Sequence, residues 1–134
     1  MKVDIDAIRP VFKKYDIRGE YPVLINEDLV VLVSKALAEK EFKKGKVVVG
    51  MDARKSSPSL YEAACTTLEG FGDIEVERVG LITTPMLAFL VNHLDAVGGM
   101  MITASHNPKD DNGIKVAKRG GGPMGGEEIL ELVK

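Results

Sequence analysis

A serine placed directly after an apolar run is the residue of this chain best suited to do chemistry. Ser105 follows Met100-Met101-Ile102 and the pair Thr103-Ala104, and it precedes His106-Asn107-Pro108. A strand-like run that stops at a polar, proline-closed loop is where α/β proteins place reactive groups. A hydroxyl there can act as a nucleophile and carry a transferred group; an ordinary turn serine would only bond its own backbone. A hydrolase pair with His106 is disfavoured, because adjacent residues of an extended segment point apart. His106 and Asn107 both offer hydrogen-bond donors. Lys115, in Asn112-Gly113-Ile114-Lys115, offers a positive charge and a movable proton. From the residues alone it reads as a solvated strand lysine, with Ile114 and Val116 pointing the other way. Arg18, in Tyr15-Asp16-Ile17-Arg18-Gly19, is suited to a bidentate phosphate clamp or to a surface salt bridge with Asp16. Tyr15 is a weaker candidate, as a substrate contact or a support for Arg18.

The elements that must position these residues alternate along the chain. Val11 to Ile17 reads as a first strand ending at an Arg18-Gly19 turn. Asn26 caps a helix with Glu27 and Asp28 in its first turn and Leu29, Leu32, Val33, Ala36 and Leu37 at helical spacing. Lys46 to Gly50 is a continuous apolar run, the pattern of a strand covered on both faces. Ser57-Pro58 starts a second helix, and Ile74 to Val79 alternates like an edge strand. Thr84-Pro85 starts a third helix, apolar nearly all round and so expected to be largely buried. Val97 to Thr103 and Asn112 to Lys118 are the last strands. Three strand-then-helix units imply a mostly parallel sheet. Only about ten residues separate Ile102 from Gly113, too few for a crossover helix, so these two strands pair antiparallel. That hairpin brings Lys115 back past the mouth of the Ser105 loop. The expected fold is therefore α/β, a three-layer sandwich with a mixed, mostly parallel sheet and one antiparallel strand near the C-terminus.

Composition narrows the partners. With 134 residues there is room for one domain, residues 1–134. The net charge of −2 sets up no field for nucleic acid or an anionic membrane. Aromatic residues make up only 5% and Trp is absent, which argues against a base-stacking platform. No apolar window is long enough for a membrane helix, and Met1-Lys2-Val3-Asp4 does not open a signal peptide. The single cysteine, Cys65, excludes an internal disulfide and suits a cytoplasmic location. It is expected in the core, and His93 is expected to be a satisfied structural histidine. Gly120 to Gly126 reads as a flexible connector. Asp110-Asp111 reads as a solvated pair, and Asp52 with Arg54 as a structural ion pair. Glu127 to Lys134 looks like a helix cut short, which leads us to expect an apolar patch there and self-association.

The run TASHNP…NGIK, together with YDIRG and the segment Gly50 to Ser57, resembles the α-D-phosphohexomutase superfamily, the phosphoglucomutases and phosphomannomutases. The resemblance covers the chain almost end to end and corresponds to the first of that family's four domains. It implies that Ser105 carries the phosphoryl group exchanged with the sugar and that Lys115 is catalytic. Tyr15, Arg18, His106 and Asn107 would bind substrate or phosphate. It further implies Mg2+, met here only by Ser105 through its phosphate, with the aspartate-rich metal loop in a second domain. A hexose 1,6-bisphosphate would be activator and intermediate. The implied partners are a phosphosugar substrate and the remaining domains of the same enzyme, and the chain alone is expected to be inactive. A phosphoglucosamine mutase domain and a noncatalytic docking domain are the alternatives.

Overall fold

Near the N-terminus, apolar residues are buried without forming the expected strand. The computed structural model describes residues 3–134. It opens with a one-turn helix α1 (Ile5–Ile8), capped by Asp4, and a tight turn at Arg9–Val11. Pro10 fits that turn because its fixed φ and missing N–H suit the first residues of a helix. Phe12 then folds back to bridge Ile17, and Lys13 N–H donates to the Asp16 carbonyl at 2.7 Å. Strand β1 is thus Ile17–Glu20 rather than Val11 to Ile17, and Arg18-Gly19 lies within it instead of forming a turn. Val11, Phe12 and Ile17 are all buried. Their apolar spacing reports burial, which does not require a strand.

The later elements follow expectation closely. Helix α2 (Glu27–Leu37) starts at Asn26, whose side chain accepts from Leu29 N–H at 3.0 Å, and widens over Ala38–Phe42 until Lys43 turns left-handed at φ 62°. Then come β2 (Gly45–Met51), α3 (Ser57–Glu69), β3 (Ile74–Leu81), α4 (Thr84–His93), β4 (Gly98–Ile102) and β5 (Asp111–Lys118). The glycine-rich connector holds a two-residue strand β6 (Pro123–Met124) that buries Met124, and α5 (Gly126–Val133) follows.

The sheet order is β1-β5-β4-β2-β3, with β6 beside β5. β2 runs parallel to β3 and β4, while β5 is antiparallel to β4, β1 and β6. One reversed strand in an otherwise co-directional sheet is the architecture expected. Gly113 makes the β1–β5 contact possible: a side chain there would collide with the Ile17 carbonyl.

Alternation along the strands sorts side chains into three layers. Val47, Val49, Met100, Ile102, Ile114 and Val116 face the core shared with α2, α3 and α5. Val48, Met101 and Ala117 face the other way, onto Leu87 and Val91 of α4. Because α4 has no neighbouring helix on its side, its flanks stay open. Met86 is 43% and Phe89 57% exposed, so the expectation of a largely buried helix is corrected. The apolar patch expected near 127–134 is not found either, since α5 turns Ile129 and Leu130 into the core. Burial rather than intrinsic propensity holds so short a helix in place. Truncating Ile129 to Ala should cost about 2–4 kcal/mol.

Candidate active site

Ser105 carries two local costs at once. Its backbone sits at φ 56°, a left-handed conformation that costs a non-glycine residue about 1–2 kcal/mol. Its hydroxyl oxygen is buried with no hydrogen-bond partner among the described residues, a second cost of about 1–3 kcal/mol. Strain of this kind persists only where the surroundings impose it, and it gathers at functional positions. The surroundings can be named. Thr103 N–H donates to the Gly113 carbonyl at 3.0 Å, extending the β4–β5 pairing to the base of the loop. Ser105 N–H donates to the Thr103 hydroxyl at 3.0 Å, and Asn107 N–H to the Ala104 carbonyl at 3.0 Å.

Lys115 reaches the same place from β5. It pairs with Met101 across the sheet and shares that residue's face, while Ile114 and Val116 point into the opposite core. Ser105, Lys115, Tyr15, Arg18 and His106 line one open cleft of about 650 Å³, with the start of α4 at its edge. Tyr15 is 60% exposed, and the Lys14 ammonium lies 5.3 Å from its ring centre. His106 stands exposed at the cleft.

Sequence reasoning named Asp16 only as a surface partner for Arg18, yet it organises the site. It is 2% exposed, and its two carboxylate oxygens take Arg18 Nε at 2.8 Å and Lys115 Nζ at 3.0 Å. The signal was its i, i+2 spacing to Arg18, which puts both side chains on one face of an extended segment. Arg18 Nη1 also donates to Asn107 Oδ1 at 2.9 Å, and Asn107 Nδ2 donates to Asp111 Oδ2 at 2.9 Å. The Asn107 amide therefore holds protein groups together beside the cleft, whereas the other five sequence-predicted site residues line it.

Behind the loop stands a second polar assembly. Asp52, just past β2, pairs with Arg54 Nε at 3.1 Å and accepts the Ser57 hydroxyl at 2.6 Å. Buried Asn112 donates to Ser56 and Ser57 at 2.8 and 3.0 Å, while its own oxygen accepts Gly113 N–H at 2.9 Å. Burial alone would push the Asp52 carboxyl up. Hydrogen bonds from Ser57, Thr103 and Arg54 outweigh it and hold the group below its ordinary value. Thr103 stands between the two assemblies, since its hydroxyl accepts the Ser105 N–H and also helps to hold the Asp52 carboxyl low.

The remaining candidates fall away from this site. Cys65 is buried in the core, where burial pushes its thiol up to about 11. His93 is exposed with its ring stacked on Phe89 at 5.3 Å, which corrects its reading as a satisfied structural residue. No three His, Cys, Asp or Glu side chains converge on a metal-sized site among the described residues. Among the same residues, no helix is long and apolar enough to cross a membrane.

Comparison with known proteins gives a consistent answer. Residues 9–134 match the sequence model of phosphoglucomutase/phosphomannomutase, alpha/beta/alpha domain I. A protein of Xanthomonas campestris pv. campestris described as phosphohexose mutases is 44% identical over 93% of this chain and 28% of its own length. A phosphoglucomutase of Neisseria gonorrhoeae is 41% identical over 93% of this chain and 27% of its own. The chain thus spans little more than a quarter of these relatives. A putative phosphomannomutase from Thermus thermophilus superimposes with a TM-score of 0.81 at 33% identity, over 92% of this chain and 29% of that one.

Proposed function

The chain belongs to the phosphoglucomutase/phosphomannomutase family, and from that premise we propose that it is the phosphoserine-bearing part of a phosphohexomutase. Ser105 would carry the phosphoryl group exchanged with hexose 1- and 6-phosphates. One observation carries this reading: a buried, unpartnered hydroxyl on a strained residue that shares a cleft with Arg18 and Lys115.

A phosphate on Ser105 adds about −1.5 to −2 charges, which the Lys115 ammonium and the Arg18 guanidinium, sharing the Asp16 carboxylate, would offset in part. When the phosphoryl passes to a sugar hydroxyl, the P–O bond to Ser105 breaks, one to the sugar oxygen forms, and the hydroxyl proton leaves to solvent. The serine oxygen then needs a proton, and Lys115, which lines the same cleft, would supply it. In the return step the Ser105 hydroxyl attacks the other phosphate of the bisphosphorylated sugar, neutral Lys115 takes the serine proton back, and the sugar oxygen whose P–O bond breaks leaves as a hydroxyl with a proton from solvent. Asp16 keeps Lys115 and Arg18 on the cleft side through both steps. Tyr15 and His106 are the substrate contacts at the rim. Mg2+ would add positive charge at the phosphoryl oxygens. In this chain it would have a single ligand, the phosphate of Ser105, and its other ligands would come from outside these residues.

The test is incubation with a hexose 1,6-bisphosphate and Mg2+, followed by intact-mass measurement and peptide mapping. One phosphoryl group on Ser105, absent from Ser105→Ala, is the expected result. Labelling elsewhere, or equal labelling of Ser105→Ala, overturns the assignment. A coupled assay with hexose 1-phosphate added should show no turnover above the Ser105→Ala control.

A further inference from the structure

We propose that Arg54 is a positioning residue that shapes the Ser105 loop from behind and takes no part in binding the phosphoryl group. A guanidinium has five N–H donors in a rigid plane. All five are committed here. Nε goes to Asp52; Nη1 goes to the carbonyls of Pro108 and Asp111; Nη2 goes to those of Ser105 at 3.1 Å and Asn107 at 2.8 Å. One side chain therefore ties together four carbonyls of a loop that has little regular structure of its own. These are charge-assisted bonds, stronger than ordinary ones. The Arg54 side chain is only 13% exposed, so solvent is a poor substitute for it. The plane itself is fixed, because Asp52 also accepts the Arg54 main-chain N–H at 3.1 Å.

Two consequences follow for Ser105. Its carbonyl is drawn toward Arg54 while its N–H is held by Thr103, so both peptide neighbours of the left-handed residue are fixed from outside. Arg54 also lines a different cleft, shared with Asp52, Lys55, Asn107 and Lys109, into which Ser105 does not open. The carbonyl oxygens it gathers are thereby turned from the side where a phosphate would sit, and their partial negative charge does not oppose it. A lysine cannot replace this arrangement, since three donors on one point cannot serve four carbonyls spread in a plane.

The functional part of this inference rests on the phosphoserine reading, and the positioning part does not. The experiment therefore has two arms on this chain, with Arg54→Ala and Arg54→Lys. The first is amide hydrogen exchange across 103–112, where Ser105, Asn107 and Asp111 N–H groups are hydrogen-bonded. The second is the rate of Ser105 labelling by hexose 1,6-bisphosphate with Mg2+. We expect exchange in the loop to rise about tenfold or more in both variants while β2 and β4 stay protected, given the loss of several charge-assisted bonds. Labelling should fall by a similar factor. Guanidinium ion, at concentrations well below those that unfold the protein, should restore both in Arg54→Ala. Unchanged loop protection, or no restoration by guanidinium, overturns the positioning role. If wild type takes up no phosphoryl group, the phosphoserine reading fails and the exchange arm alone decides on Arg54. Should Arg54→Ala not fold, Arg54→Lys carries the test: loop protection kept by lysine would overturn it.

Discussion

Arg54 and Arg18 lie on opposite sides of the Ser105 loop and use the same chemical group differently. Arg54 has no donor left for a ligand. Arg18, among the described residues, commits one nitrogen to Asp16 and one to Asn107 and otherwise borders the cleft. The contrast extends to their neighbours. Behind the loop, Asp52, Ser57 and Asn112 satisfy one another. On the cleft side stand an orphan hydroxyl, an exposed imidazole and two cations held by a single buried carboxylate. A saturated assembly confers rigidity, and an unsaturated one confers capacity to bind. The protein places the first directly behind the second.

Removing a group from each side tests that division most severely. Asn112→Ala deletes three hydrogen bonds in a fully buried setting and removes the amide that donates to the Ser56 and Ser57 hydroxyls, of which Ser57 keeps its bond to Asp52. Urea denaturation should show a loss of about 3 kcal/mol. His106→Ala, on the cleft side, should change stability by no more than about 0.5 kcal/mol. Equal losses would mean that the two sides do not differ as described.

Asp16 belongs to both descriptions, being buried like the rear groups and placed among the cleft cations. Asp16→Asn leaves Arg18 and Lys115 without their shared counter-charge. Both cations reach solvent, so the loss should stay below that of a fully buried pair, at about 2 kcal/mol. Ser105 labelling should fall with it, because neither cation would keep its place. A variant that loses stability but labels at the wild-type rate would show that Asp16 serves the fold alone.

How much of this could be read in the sequence depended on the range of the interaction. Asn26 announced its helix because a cap acts within one turn, and Lys46 to Gly50 announced a covered strand by its apolar run. That Lys115 comes back past the Ser105 loop followed from the short connection between β4 and β5, whereas the alternation of Ile114 and Val116 read only as a solvated strand lysine. Contacts set by tertiary packing were not legible. The Val11–Ile17 segment is apolar because it packs into the core, and Gly126 N–H reaches back to the Lys13 carbonyl across more than a hundred positions. The open flanks of α4 reflect packing on the sheet alone among the described residues, which no periodicity records. Arg54 could be paired with Asp52 from its sequence neighbourhood, but its four carbonyl partners lie more than fifty positions away.

A smaller effect separates strain from chemistry at Ser105 itself. Ser105→Gly keeps the left-handed backbone without a Cβ penalty and removes the unpartnered hydroxyl. Glycine's greater freedom in the unfolded chain offsets part of this gain. The net expectation is a stabilisation of about 0.5–1 kcal/mol, with phosphoryl labelling abolished. A destabilised Ser105→Gly would show that the hydroxyl has a partner in solution and that the cleft side is more saturated than the geometry indicates.

The smallest expected effect concerns Asp52, which lines both clefts. Burial raises its carboxyl, but the bonds from Ser57, Thr103 and Arg54 more than reverse this, so the folded value lies below that of the unfolded chain. A depressed carboxylate stabilises the fold fully above the unfolded value of about 3.9, and that contribution is lost as the pH falls toward the folded value. Wild type should therefore lose stability on acidification through this range more steeply than Asp52→Asn, which has no proton to take up there. The side chain is about one-fifth exposed, so solvent screening keeps the difference modest. The comparison requires urea curves at several pH values for both proteins. Parallel slopes would mean that the Asp52 charge is dispensable, leaving Arg54 held by its carbonyls alone. A steeper wild-type slope, accompanied by faster exchange of the Ser105 amide at low pH, would show that the rear assembly transmits its protonation state to the cleft through Thr103.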